Sequence, residues 1–170
     1  MKRLLVLAGT IALLIALSIP ASAQGELPCT PTPNGNGSAT CTIQMRDVPF
    51  GPFPVPPTPC PDGSTVPGGI VSGTFKTAVF HITINKAGDL WATNTEEGPF
   101  ALVTAPPVVT FMGHLTGWFG ESINKKNVVV HSTFNVTATG SDGSHVSLHM
   151  LMHFSTSARG MVVAFDKITC

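Results

Sequence analysis

The residues best equipped for chemistry are six histidines, at positions 81, 114, 131, 145, 149 and 153, in a chain with few other ionisable groups. Imidazole binds zinc and copper and exchanges protons near neutral pH. Each histidine falls in a stretch that alternates apolar and polar residues, and alternation puts each on the more polar face of a strand. A turn at Ser141-Asp142-Gly143, with Gly143 at positive φ, would set Thr139 opposite His145 and fix every later pair. His131 then faces His153 with Cβ atoms about 5 Å apart, close enough to share zinc or copper. His149 lies beside Asn135 farther along the same strand pair. The competing reading makes these histidines the polar decoration of a solvated face among Thr, Ser and Asn.

Other catalytic groupings are missing from the pattern. Asp62, Asp89, Glu96, Glu97, Glu121 and Asp142 are all expected in turns or loops, which leaves no carboxylate pair inside the fold for acid and base work. No Gly-x-Ser-x-Gly elbow and no phosphate-cradling glycine loop occurs, so nothing positive argues for catalysis.

The same register yields an almost wholly apolar face: Val130 opposite Phe154, Ser132 opposite Met152, Phe134 opposite Met150, Val136 opposite Leu148 and Ala138 opposite Val146. A slip of one residue would mix the two faces. Residues 74–85 alternate too, with Phe80, Ile82 and Ile84 on one side and Val79, His81 and Thr83 on the other. A turn at Lys86-Ala87-Gly88 sets Ile84 opposite Leu90 and His81 opposite Thr93. Further strands are expected at 90–95, 100–105, 108–119, 127–139, 144–157 and 161–169, with a loop at 120–126 and one more strand near Cys41.

About eight strands joined by short connections imply an all-β, antiparallel up-and-down barrel, lipocalin-like or calycin-like, because closure removes exposed edges. A two-sheet β-sandwich is the alternative. Phe80, Ile82, Phe134, Met150, Met152 and Phe154 would line the interior, as a solid core or around one small apolar ligand, to whose shape methionine adapts. Trp91, Trp118 and Phe119 would stand near a barrel mouth. An isomerase or cyclase that shapes a ligand in such an interior is a further option.

The amino terminus sets the compartment. Lys2 and Arg3, an apolar run over 4–19 and the small residues Ala21-Ser22-Ala23 have the order of a secretory signal peptide spanning residues 1–23. The run is shorter than a membrane span, and no second apolar run could span after cleavage. The export product is expected to be secreted, with a proline-rich arm at 24–68 and the barrel domain at 69–170. Cleavage removes two of nine basic residues and leaves nine acidic ones, a net charge near −2. That balance supplies no basic patch for nucleic acid.

Cys29, Cys41, Cys60 and Cys170 read as two disulfides in an oxidising compartment, and four cysteines allow three connectivities. The preferred one joins Cys29 to Cys41 around a Gly/Asn loop and Cys60 to Cys170, tying the start of the globular part to the last residue. Eleven of the fifteen prolines lie between Pro28 and Pro67, which excludes a helix or a central strand and leaves an arm, an edge or a loop. Only 39–47 there reads as a strand.

The segments 81–91 (HITINKAGDLW), 113–120 (GHLTGWFG) and 165–170 (FDKITC) resemble a group of small exported β-rich bacterial proteins of actinobacterial type, over about Thr74 to Cys170. The resemblance implies a bacterial exported product and assigns no activity and no site.

Overall fold

The computed structural model describes residues 29–157 and 160–170, with the side chains of 160–165 outside the description. The signal peptide at 1–23 and the start of the proline-rich arm lie outside the described residues. The chain forms strands β1 (Thr32–Pro33), β2 (Ala39–Val55), β3 (Thr58–Pro59), β4 (Thr65–Val66), β5 (Gly69–Ile84), β6 (Leu90–Val103), β7 (Thr110–Ile123), β8 (Asn127–Gly140), β9 (His145–Ser157) and β10 (Gly160–Thr169). No described residue is helical, as the Thr, Val and Gly content and the recurring two-residue period favour.

One antiparallel sheet takes eight strands in the order β1-β2-β5-β6-β7-β8-β9-β10, and β3 and β4 pair separately. Four hairpins share one turn. In the pair β8–β9, Gly140 N–H donates to Ser144 O at 2.8 Å and Gly143 N–H donates to Gly140 O at 2.9 Å, with Gly143 at φ 84°. Gly37, Gly63 and Gly88 hold the same backbone sign at the corresponding place in the other three. At two of them the turn reads Asp-Gly-Ser. Asp62 and Asp142 there accept hydrogen bonds from the hydroxyl and N–H of Ser64 and Ser144, which hold both carboxyls below their ordinary range.

The expected registers are present. Val130 pairs with Phe154, Phe134 with Met150, His131 with His153 and Thr139 with His145; Ile84 pairs with Leu90 and His81 with Thr93. Three stretches differ from expectation. The residues Glu96-Glu97-Gly98-Pro99 form no turn but run inside β6, which pairs without a break along β7 from Leu90↔Ile123 to Val103↔Thr110. Pro99 is tolerated because the ladder toward β5 is interrupted between Gly73 and Thr77, where its missing N–H is not needed. Likewise β7 extends through Gly120 to Ile123, so Glu121 is a strand residue and the loop shrinks to the turn before Asn127.

β2 also continues past Asp47 to Val55 despite Pro49, Pro52 and Pro54. Among the described residues its outer side pairs only with the two residues of β1, and its register toward β5 shifts between Phe50 and Phe53, so it is an edge strand for most of its length. Near Asp47, which takes φ 54°, the pairs run Met45↔Ala78, Arg46↔Thr77 and Val48↔Phe75, leaving Asp47 and Lys76 unpaired in the ladder. Ala78 and Phe75 are both buried across the irregularity that β5 shows toward β6, while Lys76 and Asp47 stand outside, bridged at 2.6 Å.

Among the described residues the first and last strands do not pair, so the sheet is open and barrel closure by hydrogen bonds is absent there. A disulfide joins the two edges instead. Cys60, in the β3–β4 hairpin that follows β2, is bonded to Cys170 after β10, and Cys29 is bonded to Cys41. The core gathers on one face, around Phe50, Phe75, Phe100, Leu102, Phe111 and Leu115, with the rings of Phe50 and Phe75 stacked at 4.4 Å.

Candidate functional site

The apolar face holds a cavity of about 100 Å³, to which β2, β5, β6, β7, β8 and β9 all contribute side chains. Six strands laid flat would span about 24 Å. A cavity this small can touch all of them only because the sheet curls around it. Pro56, Thr58, Val66 and Pro67, in and beside the β3–β4 hairpin, form the remaining wall, held there by the Cys60–Cys170 bond.

Of the expected interior residues, Phe134 and Met150 line the cavity. Phe80 packs against the core, Ile82 is buried, and Met152 and Phe154 are half-buried farther along the same face. The cavity lies toward the opposite end, against Phe50, Phe53 and Val55 of the proline-rich segment and Phe75, Phe100 and Leu148. The prolines hid the first three: alternation is hard to see where every second or third residue is proline.

Glu96 is the residue that turn signals concealed most completely. It stands on the apolar face between Ala78 and Gly117, only 8 % exposed. Burial raises its carboxyl above the ordinary range, against a 2.6 Å hydrogen bond donated by Asn94 Nδ2. The oxygen of that amide, Asn94 Oδ1, is buried with no hydrogen-bond partner among the described residues. The alternation Leu90, Ala92, Asn94, Glu96, Gly98, Phe100, Leu102 was the available signal.

All six histidines lie on strands, and none is buried. His131 and His153 meet as expected, with Nδ1 atoms 3.0 Å apart and ring centroids at 4.2 Å. His149 does not join them. It bonds Asn135 four residues along the strand, about 13 Å away. His81 bonds Thr42 and Thr83, and His145 bonds Thr139. No group of three or more His, Cys, Asp or Glu residues suited to a metal occurs among the described residues. Trp91 and Trp118 stand on the outer surface, and Trp118 is in mid-strand rather than at a mouth.

No described helix is long and apolar enough to cross a membrane. No protein-family model, curated protein or solved structure matches the chain.

Proposed function

We propose that the protein is an exported bacterial module that holds one small apolar group in the cavity of its curled sheet, without chemistry of its own. The observation that carries this reading is the cavity, whose walls are Phe, Val, Leu, Met and Pro with Thr58 as the one polar contributor. Two disulfides support an oxidising compartment, in line with the export signal.

Size narrows the guest. A dry apolar cavity of about 150 Å³ takes up benzene or xenon, whereas sites for whole drug-sized ligands start near 300 Å³. About 100 Å³ suits a short alkyl branch or the end of an acyl chain. It gives a cyclase too little room to fold a whole substrate, so the reading is uptake and not ring closure. The curled sheet is on this view an incomplete barrel, bridged by a hairpin and a disulfide where a barrel would have a ladder.

Methyl-detected NMR of the mature protein under xenon pressure, and with benzene, tests the proposal. Saturable shifts at Met150, Leu148 and Leu102 are expected, and Val136→Phe should abolish them by filling the space. Unshifted methyls up to the solubility limit would overturn the reading. Because Val136→Phe could also strain the fold, its own methyl spectrum supplies the control for folding.

A further inference from the structure

Outside the cavity, the outer face of β8 and β9 carries two nitrogen ligands already converged. From their geometry we infer that His131 and His153 form a surface site for a divalent copper ion, bound through the two Nδ1 atoms and completed by water. This site shares no residue with the cavity and stands or falls independently of it.

The separation of the nitrogens suits a shared ion, and the donor preference of the metal then selects among candidates. With metal–nitrogen bonds of about 2.05 Å, two ligands at 90° in a tetragonal plane stand about 2.9 Å apart, and two ligands of a tetrahedron about 3.3 Å apart. The observed 3.0 Å lies close to the tetragonal value. Cu2+ prefers that plane and also binds nitrogen donors more tightly than its first-row neighbours. Two cross-strand residues in register are held by the ladder on either side, so little side-chain ordering remains to be done when the metal arrives. His131 is exposed and His153 half-buried, so the pair can be reached from solvent.

The tautomers must adjust. In the His131–His153 hydrogen bond one ring carries its proton on Nδ1; in the complex that proton sits on Nε2, so both Nδ1 lone pairs face the ion. Net proton count is unchanged for two neutral rings.

A reporter lies alongside. Gly120 pairs directly with His131, and the indole of Trp118 lies across it, so close that a Cβ on Gly120 would stand 2.6 Å from Trp118 Cη2. A paramagnetic ion at the histidine pair would therefore quench Trp118.

Titration of the full mature chain, made without an affinity tag, with Cu2+ tests the inference by electron paramagnetic resonance and tryptophan fluorescence. One tetragonal Cu2+ per chain with two in-plane nitrogens is expected, together with quenching. His131→Ala and His153→Ala should each lose that signal, while His149→Ala keeps it. Trp118→Phe should keep the resonance signal and lose most of the quenching. A stoichiometric signal that survives in both histidine variants, or quenching unchanged in Trp118→Phe, would place the ion elsewhere and overturn the site; so would the absence of any one-to-one binding. All four side chains lie on the outer face, and a thermal melt checks that each variant folds.

Discussion

At the scale of single residues, Glu96 has the clearest pH consequence. Its carboxyl titrates above 4.5 in the folded chain and near 4.5 when unfolded, chiefly because burial penalises its charge. The native state then keeps a proton that the unfolded state has released. Its contribution to stability is complete below pH 4.5 and is lost as pH rises through the raised folded value. Glu96→Gln removes this dependence while leaving a carbonyl for Asn94 to bond. Denaturant midpoints of the two proteins should converge near pH 4 and separate above it, with Glu96→Gln the more stable at pH 7. Parallel midpoints from pH 4 to 8 would show that the carboxyl is solvated after all.

At the scale of elements, the hairpins were legible because their chemistry is local. Only a glycine adopts positive φ without cost, so Lys86-Ala87-Gly88 and Ser141-Asp142-Gly143 announced both a turn and a pairing, and one-residue slips were ruled out by the apolar face. Gly143→Ala is expected to destabilise by about 1 kcal/mol in urea unfolding, since nothing but backbone strain opposes the added methyl. A change near zero would mean that the turn relaxes. β6 was illegible for the opposite reason. Glu96-Glu97-Gly98-Pro99 carries the local signs of a turn, and its strand conformation is imposed by the unbroken ladder with β7 and by a bulge toward β5, both of them nonlocal. The proline-rich strand β2 belongs to the same class: its edge position, which permits the prolines, is a property of the whole sheet. Of the candidate sites, the His131–His153 pair follows from one hairpin register and could be foreseen. The cavity depends on curvature contributed by six strands: Phe134 and Met150 could be named from the same register, whereas Phe50, Phe53 and Val55 could not.

At the scale of the molecule, the decisive link is Cys60–Cys170, which spans 110 positions and joins edges that no ladder connects. Replacing both cysteines by serine is expected to lower unfolding free energy by about 4 to 5 kcal/mol, the value for a loop of this length in the chain-entropy account. Calorimetry or urea titration of the oxidised and substituted proteins measures it, and a loss below about 1 kcal/mol would mean that the β3–β4 hairpin holds its place unaided. The order of the sheet has a kinetic counterpart. From β5 to β10 every ladder joins strands that are neighbours along the chain, so contacts can form hairpin by hairpin with short loop closures. The ends meet only once that succession is complete. The Cys60–Cys170 bond thus records, in covalent form, that the succession of hairpins between its two cysteines has been laid down.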